Sequence, residues 1–294
     1  MSVQYGQLDL VHDVKANLGE GPWWDAESRA LLWLDLFKGA IHSYKPTLGD
    51  GLSMEVGQPI GMFALRADGG LLAAVRDGLG FADLETGMFE LTVPVEADIT
   101  SNRANDGVCD AMGRFWWGTM AADQTPGAGT LYRVDPDLTV VPVIRGTTTS
   151  NGIDFSPDNS RMYHADTGTG KITAYRFDLA AGTLSDPQVI FASGATDGRP
   201  DGLAVDAAGN LWVAMWGGSC VLHLTPDGNV IDRISTPVTN VTSVAFGGED
   251  LDELFITTAR HGLNDETLAR EQHAGSIFRY KPGLTGLLPH RFAG

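Results

Sequence analysis

The chain has 294 residues, 43% of them apolar and 19% charged, the composition of a globular protein with ample material for a core. Its formal net charge of −17 leaves no basic stripe to neutralise phosphates, which excludes nucleic acid as a partner, and no run of residues reaches membrane-spanning length, so no membrane partner is expected. The 37 glycines and 14 prolines, many in Asn-Gly, Asp-Gly and Pro-Asp pairs, mark a chain that turns often and favours short strands over long helices.

In chain order, Met1 to Tyr5 lacks the basic and apolar segments of a secretory signal, so a cytoplasmic location is expected. A strand-like run at residues 7–14, centred on Leu8-Asp9-Leu10-Val11-His12, precedes a repeating pattern. Six segments then share a small residue, an apolar pair, an Asp-containing turn, a second apolar strand and a Gly-rich turn into a third strand. They begin at Gly21, Gly61, Gly107, Gly152, Gly202 and, more degenerately, Ser243, about 40 to 50 residues apart. The third strands, such as Gly129-Thr130-Leu131-Tyr132-Arg133-Val134, alternate apolar and polar side chains with the period of a half-buried strand. A fourth strand follows in most units, as at Gln188-Val189-Ile190-Phe191.

Repeats of this length with four strands each predict an all-β, six-bladed β-propeller of four-stranded antiparallel blades, with residues 1–294 forming one domain. The leading run at residues 7–14 is left over and is expected to serve as the outer strand of the last blade, closing the ring. Two insertions depart from the repeat, residues 121–128 and residues 261–270, the latter read as a short helix or lid. Both are expected at the channel mouth, because loops on a rigid scaffold carry function.

Several motifs carry no chemistry. Cys109 and Cys220 lie far apart without Cys-x-x-Cys spacing, so they read as small buried hydrophobes. The sequon at Asn240 has no secretory signal to give it meaning. Gly168-Thr169-Gly170-Lys171-Ile172 resembles the end of a P-loop, but Ile172 replaces the required hydroxyl and Ala165 the first glycine. His42, His164 and His223 fall in strands and read as structural, and the tryptophans read as inter-blade core, with Trp216 the exception near a channel mouth.

The residue immediately before each starting glycine is Glu20, Ile60, Asp106, Asn151 or Asp201 in the first five units, and Asn105 stands one step off that register. The innermost strand of a blade lines the channel, so these entry positions can converge there. Asx-Gly pairs are common turns. Glu20 has no turn preference, however, and its presence in the same register points to an oxygen-rich divalent metal site with Asn151 and Asp201. An all-oxygen set favours calcium, magnesium or manganese over a structural zinc site.

Taken together, LGEGPWW at residues 18–24, RANDGVCDAMGRFWWGTM at 103–120, SNGIDFSPD at 150–158, PDGLAVDAAGNLWVAMWGG at 200–218, and the FGG and TTAR elements at 246–248 and 257–260 resemble the family of senescence marker protein-30, gluconolactonase and luciferin-regenerating enzyme, and within it bacterial sugar lactonases. The resemblance implies a six-bladed propeller with one divalent metal in a central channel, held by Glu20, Asn151 and Asp201. Calcium, manganese, magnesium, zinc and iron(II) are the candidate ions. It further implies substrate contacts from Arg103 and Asn105, and places Asp123 where animal members carry a substrate-contacting Glu. The implied reaction is metal-dependent hydrolysis of a sugar lactone to the aldonic acid, with Asp201 as base, in a monomer or weak homodimer. A phosphotriesterase or esterase on the same scaffold and a non-catalytic calcium-binding regulatory propeller are the alternatives.

Overall fold

The computed structural model describes residues 6–294; the reading of Met1 to Tyr5 lies outside the described residues. Six four-stranded antiparallel sheets follow one another around a ring, five of them built from consecutive strands. The sixth contains three strands from residues 241–280 and takes Leu8–His12 as its outer edge, where Leu10 pairs with Phe278. This closure joins the two ends of the propeller through one sheet. Among the described residues no helix is long and apolar enough to cross a membrane.

Burial falls from the channel outward within each blade. Second strands such as Ala30–Asp35, Leu71–Val75 and Phe115–Ala121 are buried throughout, because neighbouring blades cover both faces. This explains their near-continuous apolar sequence. Outer strands such as Met88–Pro94 and Thr183–Ala192 are largely exposed. Aromatic side chains bridge the blades: Trp24 stacks on Phe255 with ring centroids 5.5 Å apart, and Trp116 meets Phe155 edge-on at 5.9 Å. Two of the tight turns repeat one device, in which Asp110 accepts from the Trp116 indole at 2.8 Å and Asp206 from the Trp212 indole at 3.1 Å. The two cysteines are buried and unpaired.

The innermost strands are Gly19–Asp25, Ile60–Leu65, Asn102–Cys109, Ser150–Phe155, Arg199–Val205 and Val241–Gly247. Every one of them breaks register with its neighbour at the same place. The breaks lie between Glu20 and Trp23, Ile60 and Met62, Ala104 and Gly107, Ser150 and Ile153, Pro200 and Leu203, and Val241 and Ser243. Each is a bulge with one extra residue on the inner strand, a feature that bends a strand and re-aims side chains. Glycine is required here for two reasons. Gly21 has φ +54°, and a Cβ on Gly152 would meet the Asp201 carbonyl of the next blade.

The bulges correct one reading of the sequence. Aligned on them, Asn105 is equivalent to Asn151 and Asp201, whereas Asp106 is equivalent to Gly152 and Gly202. Counting from the glycines had put Asp106 in the ligand register. Strand pairing, not glycine position, sets which side chain enters the channel.

The C-terminal tail crosses the base of the ring. Gly286 bridges to Asp206 in blade five, Phe292 to Arg66 in blade two, and the Ala293 amide donates to the Gly113 carbonyl of blade three at 3.0 Å. Phe292 is fully buried, so the tail ties together blades that are distant in sequence.

Candidate functional site

The bulges of four blades deliver polar side chains to one end of the channel. Glu20, Asn105, Asn151 and Asp201 line a cavity of about 390 Å³ together with Arg103, Gln124, Thr149, Thr167, Arg199, Trp216 and His261, within the size range of small-molecule sites. All four bulge residues are buried, Asp201 to 3% exposure.

The Asn151 amide is fixed from behind. Thr167 Oγ1 donates to the Pro200 carbonyl at 2.7 Å and accepts from Asn151 Nδ2 at 3.0 Å. The same Nδ2 donates to Asp201 Oδ1. Asn151 Oδ1 is therefore left buried with no partner. A buried amide oxygen without a donor is costly unless something else meets it.

Burial raises the proton affinity of both carboxylates. Burial, then the charge of Asp106, pushes Glu20 up to about 8, opposed by the Gly21 N–H at 3.3 Å and by Arg103. Burial, then Glu20, pushes Asp201 well above the usual carboxylate range. A cation beside these buried carboxylates would favour their ionised forms. Among the described residues no three His, Cys, Asp or Glu side chains converge on one point, and the oxygen beside the two carboxylates that is left free to meet a cation is Asn151 Oδ1. Two carboxylates and an amide oxygen suit a hard divalent ion.

Arg103 reaches the same cavity. Its Nη1 donates to Asn105 Oδ1 at 2.6 Å and to the Ala104 carbonyl at 2.9 Å, and its guanidinium lies 5.6 Å from the Phe37 ring centre. Burial lowers it to about 10 against the pull of Glu20 and Asp201, so it stays charged at neutral pH. Asn105 spends both ends of its amide within the protein, accepting from Arg103 and donating to the Ser150 carbonyl at 2.8 Å. It thus links Arg103 to the strand that carries Asn151.

Asp123 is the sequence-derived candidate that the structure does not bring to the site. It is exposed, and its Oδ1 accepts from the Thr125 amide at 3.0 Å and the Thr125 hydroxyl at 2.8 Å. These bonds hold its carboxyl below the usual range. The turn points Asp123 outward, and Gln124 lines the cavity in its place. Both insertions reach the mouth as expected, through Ala122, Gln124 and Pro126 in one and His261 in the other, which leads into a short helix, Asp265–Arg270, capped by Asn264.

Sequence reasoning missed Thr167, Phe37, Gln124 and Arg199. For Arg199 the signal existed: it stands two residues before Asp201, as Arg103 stands two before Asn105. His164 and His223 are buried, as their strand positions indicated; the His164 ring meets Ser150 Oγ at 2.8 Å.

A second, smaller chamber of about 130 Å³ lies beyond the bulges toward the tail, lined by Asp106, Asp154, Ser156 and Leu287 to His290 among others. Burial pushes Asp106 up to about 6 and Asp154 up to about 7.

Comparison with known proteins places the fold in a family. The family model described as SMP-30/Gluconolactonase/LRE-like region matches residues 18–260. The 6-deoxy-6-sulfogluconolactonase of Pseudomonas putida is 36% identical over 279 residues, 94% of this chain and 95% of that protein. The pentonolactonase of Haloferax volcanii is 36% identical over 282 residues, 94% of each chain. The crystal structure of a calcium-binding protein, regucalcin, from Agrobacterium tumefaciens superposes over 100% of both chains with a TM-score of 0.93 and 29% identity. A six-bladed ring with this bulge-borne cluster, matched by the family model over most of its length, belongs to the SMP-30/gluconolactonase/LRE-like family.

Proposed function

We propose that this protein hydrolyses a sugar lactone to the corresponding aldonic acid, using a divalent cation held by Glu20, Asn151 and Asp201. Its enzyme class is lactone hydrolase, in keeping with the named lactonases among its relatives. The observation that carries the cation is the buried, unpartnered Asn151 Oδ1 beside two carboxylates that repel each other. The regucalcin structure, described as calcium-binding, supports a cation of the calcium kind.

When bound, such a cation polarises the lactone carbonyl and stabilises the oxyanion that develops on it. The protein's own groups do the rest. Asp201 has one oxygen committed to Asn151, and its other oxygen, which no donor meets among the described residues, accepts the proton of the attacking water. The water oxygen bonds to the carbonyl carbon, the bond from that carbon to the ring oxygen breaks, and Asp201 returns the proton to the ring oxygen. Arg103, kept cationic and braced by Asn105, donates to substrate hydroxyls near the reacting carbon.

A proton-release assay across pentono- and hexonolactones, with chelated protein reloaded by calcium, manganese, magnesium, zinc or iron(II), tests this reading. The expected result is cation-dependent turnover above spontaneous hydrolysis for at least one lactone, lost on chelation while the fold persists. Loss of thermal stability on chelation, with no turnover under any condition, would instead favour a structural or regulatory cation.

A further inference from the structure

The repeat that delivers Arg103 to the cavity delivers a second arginine. On the bulge register Arg199 is the counterpart of Arg103: each stands two residues before the bulge side chain, and each pairs with a residue of the second strand that also lines the cavity, Met120 for Arg103 and Trp216 for Arg199. The two come from blades three and five, on either side of the blade that carries Asn151.

Their environments differ. Arg103 is sunk beside Glu20 and Asp201, whose charges oppose its own. Arg199 is exposed at the mouth and fixed by one nitrogen, Nη1, which donates to the Thr167 carbonyl at 3.1 Å and the Gly168 carbonyl at 2.8 Å. Among the described residues its Nε and Nη2 meet no acceptor, and no carboxylate lies within ion-pair reach, in a chain with 37 acidic residues against 20 basic ones. The same two nitrogens grip carboxylates elsewhere in this protein. Arg133 donates from Nε and Nη2 to the two oxygens of Asp135 at 2.8 and 2.9 Å, and Arg76 does likewise to Asp77 at 2.8 and 3.1 Å. An oriented guanidinium edge with no partner on a substrate cavity is a two-oxygen anion receptor.

We propose that Arg199 is a specificity-determining residue, and that the preferred substrate is a lactone carrying a fixed negative group, a carboxylate, sulfonate or phosphate, on the carbon chain away from the ester. The inference rests on the lactone-hydrolase reading and deepens it. Arg103 faces the reacting end, Arg199 the far end, and the distal anion is bound at the mouth where no protein carboxylate competes.

The test compares glucono-1,5-lactone with its counterparts bearing a carboxylate, sulfonate or phosphate at carbon six, using wild type, Arg199→Gln and Arg199→Lys. Wild type is expected to show a kcat/KM at least about tenfold higher on one of the anionic lactones than on the neutral one. Arg199→Gln should lower the anionic value at least about tenfold more than the neutral value, and Arg199→Lys should recover part of the difference. The advantage should shrink between about 50 and about 500 mM salt. The three anionic arms tell which group is read. Calorimetric titration of the same proteins with gluconate and the three corresponding open-chain acids reads the receptor without turnover. A preference for a doubly anionic acid that Arg199→Gln abolishes supports the inference even if no lactone is hydrolysed, in which case the hydrolase reading alone fails. Equal effects of Arg199→Gln on neutral and anionic ligands, or a wild-type preference for the neutral ones, would overturn it.

Discussion

In the mouth chamber, Glu20 receives one long backbone N–H bond and Asp201 the Asn151 amide, while Asn151 Oδ1 receives nothing. In the base chamber, Asp106 accepts from the Gly107 amide at 2.7 Å, and Asp154 from the Phe155 and Val205 amides at 2.8 and 2.7 Å. Both chambers hold buried carboxylates, each of the four carried by the innermost strand of a different blade. The base pair accepts from backbone amides alone and is covered by Leu287 to His290 of the tail. The mouth set retains the unpartnered Asn151 Oδ1 and opens between the two insertions. A buried amide oxygen without a donor, beside the carboxylates, distinguishes the mouth from the base.

The largest expected contrast comes from one substitution in each chamber. Asp201→Asn should lower kcat by about 10³-fold or more while leaving the thermal transition in place, since it removes the proton acceptor. Asp106→Asn should change kcat by no more than a few-fold. Steady-state kinetics on cation-loaded proteins checks the pair, and comparable losses in both would erase the distinction between the chambers.

A smaller effect sharpens the account of the mouth. Thr167→Val removes the hydroxyl that orients the Asn151 amide and should weaken divalent-cation affinity by about 10- to 100-fold, the range found for residues that orient metal ligands. Calorimetric titration of the chelated variant with calcium or manganese measures this directly. Unchanged affinity would show that the amide needs no support.

The smallest effect concerns the base. Folding raises Asp106 from 3.8 to about 6, so the folded protein binds more protons than the unfolded chain in that interval. Its contribution to stability is therefore present below about pH 4 and is lost as the pH rises through about 6. Asp106→Asn should flatten this dependence, raising stability relative to wild type by about 1 kcal/mol at pH 8 and little at pH 4. Denaturant unfolding at both pH values in chelator tests the sign; an equal shift at both would place the effect in packing.

Much of the architecture was legible because each blade repeats its own pattern. Strands covered on both faces are uniformly apolar, outer strands are not, and the surplus run near His12 matches the one sheet edge that needed a partner. Glu20, Asn151 and Asp201 were legible as a set, and the structure does bring them to one cavity. The assignment of Asp106 to their register was not sound, since Asp106 holds the bulge position of Gly152 and Gly202, and Gly107 that of Ile153 and Leu203. Asp123 sat at the right distance along the chain, but the Thr125 amide and hydroxyl capture its carboxylate and turn it outward.

The sequence by itself determined the number of blades, the order of strands within them and the residue types that reach the channel entry, because alternation and turn chemistry are local properties of the chain. Only the tertiary structure decided which of two adjacent side chains faces the mouth and which the base. The reason is that side chains on a strand alternate between faces. One extra residue in a bulge exchanges the faces for everything beyond it, and a bulge is defined only by pairing with the neighbouring strand.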